Sequence, residues 1–133
     1  MAKDRGYNYI AVDFDGSVVY HVYPHIGEDL PYAVYVLKEL KKMGFKLILN
    51  TMRSGQELEP AVEWFEDRGI FLSGINMNPQ QTYWTQSQKV YANYYIDDCG
   101  VGCPVIIDKN GRNAVDWLRI AIIFGIEIQE GTL

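Results

Sequence analysis

Cysteine and histidine are scarce, with two of each in 133 residues. Cys99 and Cys103 are too few to staple a fold of this size. The gap between them is not the C-x-x-C of a zinc or redox site, so both are read as free thiols. His21 and His25 stand four apart and would share a helix face, but Pro24 between them argues against a helix and so against a metal pair. No long apolar run is present either. The richest, Leu118 to Ile128, is interrupted by Arg119, Gly125 and Glu127 and falls short of the roughly 20 residues that span a bilayer. Positive charge is in deficit: 12 Lys and Arg face 17 Asp and Glu, a formal net charge of −5. General binding to nucleic acid calls for a basic surface and is not expected. A phosphate-handling enzyme is not excluded, because a metal ion can neutralise acids locally. The N-terminal Met-Ala-Lys-Asp-Arg-Gly lacks the apolar centre of a secretory signal, so a cytoplasmic location is expected.

Apolar material is ample. Hydrophobic residues make up 48% and charged residues 22% of the chain, the balance of an ordinary globular protein. Repeats, low-complexity tracts and linkers are absent, which predicts one domain over residues 1–133. Asn8 to Phe14 reads as a buried strand feeding a tight turn at Gly16. A loop follows over 17–29. Pro31 opens a helix carrying Val34, Leu37 and Leu40, closed by Lys41, Lys42 and Gly44. Phe45 to Leu49 is a second strand. Ser54 and Glu57 have the spacing of a capping box for a helix to Arg68, with Pro60 taken as first-turn material. Ile70 to Ile75 and Tyr91 to Ile96 read as strands, 79–88 as polar loop, and Asn113 to Phe124 as a last helix.

Strands alternating with helices predict an α/β fold, a doubly wound, Rossmann-like parallel sheet with helices on both sides. Ligands of such sheets bind outside the carboxyl ends of the strands. Asp13, Asp15, Thr51, Asp97 and Asp98 all fall there. A carboxylate can attack phosphorus and carry an aspartyl phosphate, provided its repulsion from the phosphate is cancelled. Magnesium does this with hard oxygen ligands such as one or two carboxylates. Lys89 and the Thr51 hydroxyl are candidates for holding the phosphoryl oxygens, and Asp15 for moving the proton of the leaving oxygen.

The run Asp13-Phe14-Asp15-Gly16-Ser17 resembles the first motif of the haloacid dehalogenase superfamily. Thr51 resembles its second, Lys89 its third, and Tyr95-Ile96-Asp97-Asp98 its fourth, in matching order over roughly residues 8 to 100. The resemblance leans to short, capless bacterial and phage members, with Tyr23-Pro24-His25-Ile26-Gly27 after the first motif and Arg53 after the second. It implies a phosphomonoesterase with Asp13 as nucleophile and Asp15 as general acid and base. Thr51 and Lys89 would hold the phosphoryl group. Mg2+ would sit on Asp13, the Asp15 carbonyl and Asp97, with Asp98 supporting the metal shell. Arg53 either reaches a phosphate or sugar on the substrate or pairs with an acid.

The gaps between motifs are too short for a cap domain, so an open site is expected. The expected partner is a phosphorylated small molecule, without membrane attachment, and a homo-oligomer is plausible given the aromatics. Tyr83, Trp84, Tyr91, Tyr94 and Tyr95 are read mostly as core or interface residues. Two rivals remain. A receiver-type phosphoacceptor domain also gathers acids, a hydroxyl and a lysine at strand ends, but its phosphorylated Asp would end the later strand, where this chain has Leu49-Asn50-Thr51. A non-catalytic binding relative would have no need of all four motifs.

Overall fold

The computed structural model describes residues 8–129. The N-terminal hexapeptide behind the cytoplasmic expectation lies outside them. Among the described residues the order is β1 (Asn8–Val12), α1 (Ala33–Lys42), β2 (Phe45–Leu49), α2 (Gly55–Asp67), β3 (Leu72–Ile75), a 3-10 turn (Pro79–Tyr83), β4 (Tyr94–Ile96), β5 (Val105–Ile107), β6 (Asn113–Val115) and α3 (Trp117–Phe124). Strands β3-β2-β1-β4 form a parallel sheet, and β5 and β6 an antiparallel pair. The expected α/β architecture with a parallel sheet and flanking helices is present, but the helices pack on one face and not on both sides as expected.

The register makes the strand ends level. Val12 pairs with Leu49 on one side and Ile96 on the other, and Leu49 pairs with Ile75. The ladder runs one step further: Asp13 N–H donates to Ile96 O, Asn50 N–H to Val12 O and Asn76 N–H to Leu49 O. Asp13, Asn50, Asn76 and Asp97 therefore leave the sheet side by side. Strand order reverses at β1, with β2 added to one side and β4 to the other, so the Asp13–Asp97 edge is a topological switch point.

Alternate strand residues face opposite ways. Ile10, Val12, Leu47 and Leu49 join one cluster with Leu37 and Leu40 of α1, Trp64 and Phe65 of α2, and Trp117 and Ile120 of α3. All three helices thus contribute to the core on one face. Tyr9, Ala11 and Ile48, on the other, pack with Val90 and Ala92 of the segment after the 3-10 turn. That face is covered by irregular chain, which explains why its sequence reads as polar loop.

Local expectations shift in four places. Helix α1 starts at Ala33, two residues beyond Pro31, because Tyr32 takes a left-handed conformation (φ 67°). Ser54 precedes α2 without a side-chain cap bond, and Pro60 lies in its second turn. Strands β3 and β4 are shorter than the apolar runs that carry them. Asn113 to Val115 is strand, not helix, and α3 begins only after Asp116, whose carboxylate accepts the Arg119 N–H as a cap. The Val–Asp–Trp stretch fits both periods, and β5 as a partner decides the case.

No cap-sized insertion interrupts the described residues between β1 and β4. No described helix is long and apolar enough to cross a membrane.

Candidate active site

Four strand ends and one turn assemble the site. Gly16 makes the turn with φ 82°, a region that L side chains rarely adopt. A Cβ there would lie 2.7 Å from Asp98 Oδ2, so glycine is also what lets the β4 loop close on the β1 turn. Ser17, fully buried, joins the two. Its Oγ lies 3.2 Å from Asp13 Oδ2 and 3.1 Å from Asp98 Oδ1, and it accepts the Asp98 N–H at 3.1 Å. One hydroxyl carries one proton, so Ser17 serves only one of the two carboxylates at a time.

Three acids therefore meet with little to neutralise them. Burial pushes the Asp13 carboxyl up to about 8, and the negative charge of Asp97 and a hydrogen bond with Asp98 add to it; the Phe14 amide pulls the other way. Without a cation beside it, Asp13 would stay largely protonated near neutral pH and could not act as a nucleophile. Asp97 Oδ1 accepts the Cys99 N–H at 2.8 Å, while its other oxygen has no hydrogen-bond partner among the described residues. The Asp15 carbonyl likewise accepts no hydrogen bond among them. This hard-oxygen donor set, Asp13, Asp97 and the Asp15 carbonyl, fits a magnesium ion. Asp98 is turned onto Ser17 and Gly16, a supporting place beside that set.

Asp15 is treated quite differently. Both its oxygens are held at 2.7 Å by Arg53, through Nε and Nη2. The guanidinium also donates to the carbonyls of Pro24 (3.2 Å), His25 (2.8 Å) and Glu57 (2.9 Å). It is 2% exposed and sits about 5 Å from the ring centres of Phe14 (5.1 Å) and Tyr23 (5.0 Å). The hydrogen bond to Asp15 raises the Arg53 pKa further. Of the two roles open to Arg53, the geometry is that of the acid pair: all five N–H groups are spent inside the protein, leaving none for a substrate. The Asp15 side chain is equally engaged, so only its backbone oxygen remains for a metal.

Thr51 follows the β2 end as expected. Its N–H donates to Asn76 Oδ1 at 2.7 Å and its Oγ accepts the Arg53 N–H at 3.1 Å, which leaves the hydroxyl proton free to turn outward. Lys89 is not brought onto the carboxylates. Its exposed ammonium lies 5.7 Å from the Tyr95 ring centre and makes no ion pair among the described residues. It lines a neighbouring cavity of about 220 Å³ with Asn76, Gln81, Thr85 and Ser87. His21 and His25 lie in an irregular loop rather than a helix, and Cys99 and Cys103 are free thiols.

Two supporting residues escape a reading of the sequence. Trp117, 1% exposed, donates its indole N–H to the Ser17 carbonyl at 2.7 Å from 100 positions away, and Val115 N–H donates to Gly16 O. Nothing local marks Trp117. Asn76 does carry a signal: it ends a strand with φ 56°, a conformation that asparagine tolerates.

No family model matches the sequence. A conserved protein coded by a locus of Bacteroides thetaiotaomicron has a solved structure that aligns with a TM-score of 0.73 and 36% identity, covering 90% of this chain and 92% of that one. A D-glycero-beta-D-manno-heptose-1,7-bisphosphate 7-phosphatase of Photorhabdus laumondii subsp. laumondii is 31% identical over 100 residues, 63% of this chain and 53% of the relative. This chain thus spans about half the length of that relative. With Asp13, Thr51 and Asp97 of three of the motifs at one sheet edge and a relative matched over nearly its whole length, the chain belongs to the haloacid dehalogenase superfamily.

Proposed function

We propose that this chain is a magnesium-dependent phosphohydrolase that cleaves phosphomonoesters through an aspartyl phosphate on Asp13. The observation that carries this reading is the Asp13 carboxyl, pushed up to about 8 among Asp97 and Asp98 at the switch point. A buried carboxylate beside two others, with no cation of the protein's own, supports a cation site there. Magnesium bound there supplies charge neutralisation between the Asp13 carboxylate and an anionic phosphate.

The chain's own groups account for the rest. Asp13 attacks phosphorus while the ester P–O bond breaks, and Asp15, entering this step protonated on the oxygen that faces the substrate, gives the leaving oxygen its proton. Water then attacks the acyl phosphate, Asp15 takes a proton back, and inorganic phosphate departs with Asp13 restored. The Thr51 hydroxyl and the Lys89 ammonium hold the phosphoryl oxygens; Lys89 reaches them by moving from its position over Tyr95.

The substrate in this reading is a small, hydroxyl-bearing phosphate ester. Its support is the amide- and hydroxyl-lined cavity reaching Asn76 and Lys89, together with the phosphatase name of the Photorhabdus relative. A cytoplasmic setting belongs to the same proposal. The receiver-type rival is disfavoured by topology, since its strand order is 2-1-3-4-5 and the order here is 3-2-1-4.

The test is hydrolysis of p-nitrophenyl phosphate and a panel of natural monoesters, with and without magnesium, alongside Asp13→Asn. Magnesium-dependent turnover that disappears in the variant is expected. A folded wild-type protein that hydrolyses none of them would overturn the proposal.

A further inference from the structure

We propose that Arg53 is the positioning residue of the proton-transfer step, acting through Asp15 and not through the substrate. The inference rests on the phosphohydrolase reading above and goes beyond it by assigning a buried cation to one half-reaction.

The argument begins from donors and acceptors. A guanidinium has five N–H groups in a fixed planar fork, and a carboxylate facing that fork edge-on is held in both position and plane. Arg53 holds Asp15 in this way, with both contacts at 2.7 Å. Its remaining N–H bonds go to the carbonyls of Pro24, His25 and Glu57. The Asp15 carboxylate is thereby referenced to two segments beyond its own turn: the loop at 24–25 and the first turn of α2. A proton donor has to be aligned with the leaving oxygen, and no other group among the described residues holds the Asp15 side chain.

The surroundings fit a device more than a surface ion pair. Phe14, fully buried, and Tyr23, half exposed, flank the guanidinium, and Arg53 is among the largest fully buried side chains of the molecule. Val22, Tyr23 and Ile26 of the same loop are exposed beside it. Lysine cannot replace this arrangement. Its point charge can meet one carboxylate oxygen but cannot hold two oxygens and three carbonyls.

The test separates positioning from simple stability by the acidity of the leaving group. p-Nitrophenolate departs readily without a proton, whereas an alkoxide such as that of glycerol phosphate needs one. In Arg53→Lys, kcat on glycerol phosphate should fall at least about tenfold more than kcat on p-nitrophenyl phosphate, since a well-placed acid contributes about 10²- to 10⁴-fold. Equal losses on both substrates, in a protein that still melts cooperatively, would overturn the assignment while leaving the phosphohydrolase reading intact. A wild-type protein inactive on both, with magnesium, would overturn both. Should Arg53→Lys fail to fold, Tyr23→Ser answers instead, because it uncovers the guanidinium from the half-exposed side. A preferential loss on glycerol phosphate of about threefold or more supports the role; equal rates overturn it.

Discussion

Asp13 and Asp15 are two residues apart on one turn, yet the fold surrounds them in opposite ways. Asp15 has a cation of the protein's own, with Arg53 on both its oxygens. Asp13 has other acids for neighbours and one shared serine hydroxyl, and its carboxyl is pushed up to about 8. An internally compensated charge is finished by folding. An uncompensated one is finished only by something that arrives. The contrast separates a carboxylate that folding itself fixes in place from one that awaits a cation.

The sharpest way to break this comparison is to neutralise each acid in turn. Asp15→Asn leaves the Arg53 guanidinium buried against an amide, and breaking a buried pair typically costs about 3–5 kcal/mol. Urea unfolding should show a loss of that order. Asp13→Asn is expected to do the reverse in metal-free buffer at slightly alkaline pH, stabilising the protein by about 1–2 kcal/mol. The same variant should lose most of the rise in melting temperature that magnesium produces in the wild type. Destabilisation by both variants would mean that the two acids are equivalent after all.

A pH series sharpens the same point. The Asp13 carboxyl holds its proton to about 8 in the folded protein, against an ordinary value of 3.8. The folded state thus binds more protons across that window, and stability falls as pH rises from about 4 to about 8. Metal-free wild type should show this slope in its melting temperature. Asp13→Asn should flatten it, and magnesium should offset it most strongly at the upper end.

Smaller effects come from the supports. Gly16→Ala places a methyl group against Asp98 at a positive φ, which costs about 1–2 kcal/mol in backbone conformation alone. It should also weaken magnesium-induced stabilisation, read as a smaller shift in melting temperature. Asn76→Ala removes the acceptor of the Thr51 N–H at the exposed end of β2, for about 0.5–1.5 kcal/mol. Its signature should be a raised KM with little change in kcat, because in the proposed mechanism Thr51 holds the phosphate and neither acid depends on it.

Much of this site is legible in the sequence because its information is local. The run Asp13-Phe14-Asp15-Gly16-Ser17, an apolar strand before each acid or hydroxyl, and a glycine where φ must be positive are all written within a few residues. The α/β alternation is equally local. Boundaries were less so: Asn113 to Val115 became strand because β5 offered a ladder, and the Ser54 cap went unused.

The sequence by itself determined which acids stand at the ends of β1 and β4 and which elements carry them there. Strand periodicity and turn chemistry act over a few residues and need no partner. Only the tertiary structure decided that Arg53 belongs to Asp15, that Lys89 rests over Tyr95 and that Trp117 buttresses Ser17. Those are contacts across 38, 6 and 100 positions, two of them long-range, and they depend on sheet register and on which face each helix covers. Register levels Val12, Leu49, Ile75 and Ile96, and this levelling turns separate motifs into one site.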